Sequence, residues 1–192
     1  MTTQEKERRR YGGASFADRQ SDRRDRLLRA AIEVFGRAGR DGATVAAICA
    51  EAGLTARYFY ESFPNRDALF VEAFRAAQRE LLSRLAQSID PADPVRSALT
   101  GFFASLAEHP GPARVFLLDP HGREPEMLVA GEEAAARLAR LLLPNARSEL
   151  AVTGAFGALV QIARRWIASD FAEPVEKVVA TVLPFLTVAA GN

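Results

Sequence analysis

Apolar side chains recur every three or four positions along most of this chain, and glycines, prolines and short polar clusters divide the recurrence into segments. That spacing predicts amphipathic helices rather than strands. The first stripe starts after Asp22 with Leu27, Leu28, Ala31, Ile32, Val34 and Phe35, and the glycines of "GRAGRDG" end it, because glycine accepts left-handed backbone. Thr44 is an N-cap for "TVAAICAEAG", in which Val45, Ile48 and Ala52 share a face and Gly53 closes the helix. Thr55 caps again and opens a short helix from about Ala56 to Ser62. After Pro64 a long helix begins near Arg66 and runs to about Gln87, with Leu69, Phe70, Ala73, Phe74, Ala77, Leu81, Leu82 and Leu85 as its stripe. Further helices are predicted from Asp93 to Glu108, Ala113 to Leu118, Glu126 to Leu143, Ala146 to Ser169 and Pro174 to Ala189. Pro110 stops the first of these, and Pro184 kinks the last or ends its regular part. The expectation is an all-α chain of about nine helices, with a helix-turn-helix head and a helical C-terminal body.

Composition narrows the class. With 192 residues the chain buries a core without staples. Its single cysteine, Cys49, excludes an intramolecular disulfide. No signal-peptide pattern and no apolar run long enough to span a membrane are present, so the expectation is a soluble, cytoplasmic protein without a membrane partner. Charge is unevenly placed: Met1 to Arg66 carry 13 Lys/Arg against 9 Asp/Glu, net +4, whereas the remainder is net −3. A basic end on an acidic body fits a chain that touches a polyanion at one end. Residues 1–20 read as a flexible basic arm, 21–66 as the helix-turn-helix domain and 67–192 as a ligand-binding and dimerisation domain.

The segment "GLTARYFYESFPNRDAL" carries the function. Small Cys49 lies four residues before Gly53, where two helices cross closely, and Ile48, Leu54 and Phe59 supply the apolar contacts that hold the pair. Phe59 and Phe63 are four apart and face inward together, which turns Ala56, Arg57 and Tyr60 outward with Tyr58 on the flank. A guanidinium there suits guanine O6 and N7 in the major groove. Thr44, Thr55 and Tyr60 offer hydroxyls to phosphate oxygens, and Arg66 stands at a helix start whose free N–H groups favour an anion.

"RLLRAAIEVFGRAGRDGATVAAICAEAGLTARYFYESFPNRDALF" resembles the N-terminal domain of TetR-type transcriptional repressors. The likeness lies in the glycine after helix one, the threonine that opens helix two, the Ala-Gly-Leu turn and the run from Tyr60 to Leu69. It implies a homodimer whose two heads bind palindromic double-stranded DNA, and a body that binds a small-molecule effector and releases the operator. Arg57 stands where relatives often carry a small or cyclic residue, Tyr58 where threonine is common, and Ala46 and Ala47 where some have polar base readers. Base reading is therefore expected to rest mainly on Arg57.

In the body, Phe74, Leu81, Phe102, Phe103, Leu106, Phe116, Met127, Phe156 and Trp166 are candidates to line an apolar pocket, with Gln78, Arg114 or Gln161 orienting its occupant. Each also suits ordinary core. Gly154, Ala155 and Ala158 make a small-residue surface on the penultimate helix, which looks like the family's dimer-forming helix. With Val178, Val182 and Phe185 of the last helix it suggests a four-helix dimer interface; packing within one chain is the alternative. His109 and His121 are isolated and make no metal-ligand spacing with Cys49, and no catalytic constellation or cofactor motif is present. Two rival classes remain: a dimeric ligand-binding or scaffold protein whose head no longer binds DNA specifically, and a helical enzyme for which no residue set argues.

Overall fold

A computed structural model describes residues 16–118, 125–143, 146 and 148–191. Among them are nine helices: α1 (Phe16–Gly42), α2 (Val45–Ala52), α3 (Ala56–Ser62), α4 (Arg66–Ser88), α5 (Pro94–Glu108), α6 (Pro110–Leu117), α7 (Pro125–Leu142), α8 (Glu149–Ala168) and α9 (Val175–Ala190). The all-α expectation is met.

The capping chemistry explains most boundaries. Thr44 accepts a hydrogen bond from the Ala47 amide at 3.1 Å, and Asn65 caps α4 by accepting from Ala68 at 2.8 Å. Gly53 ends α2 with φ 62°, a left-handed geometry that a β-carbon would strain. Thr55 stands at the N-cap of α3 but makes no side-chain cap bond, so its hydroxyl stays available.

Three boundaries differ from the pattern. Helix α1 begins at Phe16, six residues before Asp22, because a polar stretch continues a helix without adding to a buried face. Pro110 does not merely stop α5; it occupies the first turn of α6, where its missing N–H costs nothing, and moves that helix's start ahead of Ala113. Ser148 caps α8 through the Ala151 amide at 3.2 Å, so α8 starts after Ala146. Pro184 lies inside α9, which runs past it to Ala190.

Helix α4 is the centre of the chain: Leu69, Phe70, Phe74, Ala77 and Leu85 are fully buried along it. It packs on α1 at its start and on α5, α6 and α7 farther along, so the head and the body share one helix. They also share a second contact. Helices α1 and α6 cross with Gly36 against Gly111, so close that a β-carbon on Gly36 would lie 2.7 Å from the Gly111 Cα. Opposite, α9 packs on α5 and α8.

Candidate functional site

Helices α1, α2 and α3 build the head around Leu27, Ala31, Phe35, Ile48, Cys49, Phe59 and Phe63, all buried. Burial raises the Cys49 thiol above its ordinary pKa, since the thiolate would lose its hydration. Arg26 of α1 reaches across and donates from Nη2 to the Ala52 carbonyl at 2.8 Å, satisfying the open end of α2. The guanidinium of Arg24 stacks 4.5 Å from the Phe63 ring and pairs with Glu72 of α4, which ties the residue following α3 to α4.

With Phe59 and Phe63 inward, the outer face of α3 is the expected one. Ala56, Arg57 and Tyr60 are exposed, the last at 62 %. Tyr58 sits half-buried on the flank under Arg23, whose guanidinium lies 4.6 Å from the ring centroid. Thr44 and Thr55 are exposed at the starts of α2 and α3. Thr44, Thr55, Arg57 and Tyr60 are thus all solvent-exposed on the helix-turn-helix.

Two arginines have partners that the pattern does not reveal. Arg57 Nε donates to Glu61 Oε1 at 2.9 Å one turn along α3, and this hydrogen bond, with the charge of the carboxylate behind it, holds the guanidinium still more firmly protonated. Arg66 Nη1 donates to the Ala43 carbonyl at 2.9 Å, so the residue read as a phosphate clamp also ties the start of α4 to the turn before α2. The N-terminal arm, a further candidate for DNA contact, falls largely outside the described residues.

In the body, one cavity of about 380 Å³ opens between α4, α6, α7 and α8. Of the pocket candidates, Phe74, Phe116 and Phe156 form its aromatic wall and Gln161 also lines it. Leu117, Gly131, Ala134, Ala135, Leu138, Gly157, Val160 and Arg164 complete the lining; the small and aliphatic ones carry no signal distinguishing a cavity wall from a packed core, and Arg164 reads in sequence as one more charged position on a helix.

The other described pocket candidates do not line this cavity. Phe102, Phe103 and Leu106 are fully buried core, and Trp166 packs edge-on against Phe103 at 5.5 Å with its indole N–H donating to the Glu173 carbonyl at 2.8 Å. Leu81 is also core, on α4 away from this lining. Arg114 points to the α8–α9 connection: it pairs with Asp170 at 2.8 Å and lies 5.8 Å from the Phe171 ring. Asp170 and Phe171 hold φ of 54° and 59°, so this arginine braces a strained turn rather than a ligand. Gln78 is buried on α4 one turn beyond Phe74, and its Nε2 has no partner. The side chain of Met127 and the whole of His121 lie outside the described residues.

The proposed dimer residues divide by face. Gly154 is exposed with open space where a β-carbon would stand, Ala158 is half-buried and Phe185 is 49 % exposed. Ala155, Val178 and Val182 instead face the chain's own core; a 3.6-residue period marks a stripe but does not say which neighbour covers it. Leu150 and Val188, on the same two helices, are also exposed, at 85 % and 74 %.

A wider crevice, about 580 Å³, runs between α1 and the α5–α6 junction, but its walls mix Arg26, Arg29, Glu33, Glu80 and Glu108 with His109. Among the described residues, no group of three or more His, Cys, Asp and Glu side chains is placed to hold a metal, and no helix is long and apolar enough to cross a membrane.

Residues 27–73 match the family model of bacterial regulatory proteins, tetR family. The HTH-type transcriptional regulator BetI of Stenotrophomonas maltophilia (strain R551-3) is 34% identical over 86 residues, 42% of this chain and 44% of that protein, so the match spans less than half of that relative's own length. The whole fold is similar to a TetR-like transcriptional regulator from Rhodococcus sp. RHA1, with a TM-score of 0.71 at 21% identity over 91% of this chain and 96% of that one. It is also similar to the regulator FadR from Bacillus subtilis in complex with stearoyl-CoA, with a TM-score of 0.70 at 18% identity over 87% and 98% of the two chains.

Proposed function

We propose that this chain, a TetR-family transcriptional regulator by its N-terminal domain, is a repressor that binds a palindromic operator as a homodimer and is released by a small, largely apolar effector. Residues 21–66 form the DNA-binding head in this reading, and 67–192 the effector and dimer body. It acts in the cytoplasm as a binding protein rather than an enzyme. Arg57 reads a base, Thr44, Thr55 and Tyr60 hold phosphates, and Arg66 keeps the start of α4 in register with the head while presenting its charge to the backbone.

One observation carries the reading. Helix α6 spans only Pro110–Leu117, yet Phe116 and Leu117 at one end wall the cavity, while Gly111 at the other touches Gly36 of the head. Backbone packed against backbone does not yield as a flexible side chain does, so an occupant that shifts α6 shifts α1 with it. Binding of DNA and of effector is then reciprocally coupled. The sequence-similar relative is itself described as a helix-turn-helix regulator, which supports the DNA side of this reading.

Selection of bound duplexes from a random DNA pool by the purified protein at near-physiological salt tests it. The expected result is an enriched palindrome, whose half-sites lie about one helical turn apart or a multiple of it. Tight binding with no enriched sequence, or none at all, would leave the dimeric ligand-binding or scaffold protein as the better account.

A further inference from the structure

Arg164 stands at the edge of the four-helix cavity with only part of its guanidinium in use. Its Nε donates to the Leu117 carbonyl at 2.7 Å, which fixes the group against the end of α6. No carboxylate among the described residues pairs with it. Behind it the lining is apolar: Phe74, Phe116, Leu138, Phe156 and Val160. Gln161, one turn earlier on α8, is the only other polar side chain in the described lining.

A half-buried cation held in place beside an apolar wall has lost water without gaining a counter-charge, and a bound anion would supply one. The Nε bond leaves the two Nη groups, an edge that suits the two oxygens of a carboxylate. A single guanidinium balances one negative charge; a dianionic head would bring a second charge into the same edge with nothing to meet it. The volume, about 380 Å³, is near the small end of ligand cavities, so the apolar body is short and its head lies at the mouth.

We infer that the effector is a short amphiphile with one carboxylate, its apolar part against Phe74, Phe116 and Phe156 and its carboxylate on the Nη edge of Arg164, with the Gln161 amide beside it. The inference rests on the cavity being the effector site. Because the same guanidinium is bonded to Leu117, the carboxylate engages the residue that anchors the end of α6.

Calorimetric titration of the full chain with decanoate and with decan-1-ol tests the assignment, since the two probes share a body and differ at the head. Decanoate is expected to bind at least about tenfold more tightly, the ratio a charge-assisted hydrogen bond supplies. Arg164→Met is expected to remove that preference and leave decan-1-ol binding in place. Gln161→Glu, which puts a competing carboxylate beside an intact Arg164, is expected to do the same, and it keeps the test alive should Arg164→Met fail to fold. Equal binding of the two probes by the unaltered chain would overturn the carboxylate assignment and leave the cavity reading standing. So would Gln161→Glu weakening both probes alike. If neither probe binds the unaltered chain, the cavity is not the effector site for such molecules and the assignment falls with it. Loss of both probes on filling the cavity by Ala135→Trp places the binding there.

Discussion

The Nε of Arg57 donates to Glu61 Oε1 at 2.9 Å, so the residue proposed to read a base is bound to a carboxylate on its own helix. The Arg57 side chain is 84 % exposed, and an exposed pair one helical turn apart is weak enough for DNA to displace. In the proposed DNA-binding reading, Glu61 is a competitor for the Arg57 guanidinium. Glu61→Gln is expected to tighten operator binding about twofold to fivefold, from the loss of that competition and of a negative charge near the phosphates. Arg57→Ala is expected to weaken operator binding by about 1–3 kcal/mol and relax preference at one base pair, with random DNA much less affected. Fluorescence anisotropy on the selected operator and on random duplex checks both. Equal losses on the two DNAs for Arg57→Ala would remove its role as base reader.

Arg66 is expected to behave differently because its Nη1 is bonded to the Ala43 carbonyl. Arg66→Ala should weaken all DNA sequences and reduce the salt slope by about one. It should also lower the unfolding midpoint by a few degrees, since a buried-side carbonyl loses a charged donor worth about 1–3 kcal/mol. Thermal melts of Arg57→Ala and Arg66→Ala side by side separate the roles; a melt of Arg66→Ala indistinguishable from that of the unaltered chain would mean the Ala43 bond contributes nothing.

Gly36 offers a test whose sign decides. In an open helical position, replacing glycine by alanine stabilises by roughly 0.5–1 kcal/mol. At Gly36 the new carbon would lie 2.7 Å from both the Cα and the carbonyl oxygen of Gly111, which are backbone atoms and cannot swing aside. Gly36→Ala is thus expected to destabilise by about 1–3 kcal/mol and to blunt the response of DNA binding to effector. Gly157, with open space around the same carbon, is the control: Gly157→Ala should leave the monomer fold unharmed. Denaturant melts of the two variants give the comparison, and a gain in stability for Gly36→Ala would show that α1 and α6 do not cross so closely.

The head was legible because its rules are local. Thr44, Gly53 and the Phe59–Phe63 pair each set backbone or face within one turn, and the structure keeps every one of them. The body was legible only as helices. Trp166 and Phe156 lie on the same helix and look alike in sequence, yet one closes a core against Phe103 and the other walls a cavity, a difference made by helices distant in the chain. Val182 and Val188 differ in the same way, one fully buried and one exposed. Arg114 drew attention as a polar group among aromatics, but its partner Asp170 is 56 residues away and no periodicity reports such a pair.

Cys49 is buried and its thiol is raised above the ordinary pKa by loss of hydration. The folded chain therefore holds this proton more tightly than the unfolded chain does. The contribution to stability is complete below the ordinary thiol value and is lost as pH rises through the raised one. Reaction with a thiol-specific disulfide reagent at neutral pH is expected to be slow in the native protein and fast in denaturant. Fast native labelling would mean that the α2–α3 crossing opens readily.

The exposed apolar patch of α8 and α9 gives the last prediction. Leu150, Phe185 and Val188 are exposed at 85 %, 49 % and 74 %, and Gly154 has open space where a β-carbon would stand. Singly such residues need no explanation, but together on two adjacent helices they form the kind of surface a second copy covers. Val188→Glu combined with Leu150→Glu is expected to give a monomer by light scattering with an unchanged circular-dichroism spectrum. Operator binding should fall by orders of magnitude in that variant, because each head then binds its half-site without the other. Val182→Glu is the counterpart: it buries a charge in the chain's own core and should unfold the body rather than merely divide the dimer. A dimeric mass for the Leu150/Val188 double variant would move the interface to another face of the body.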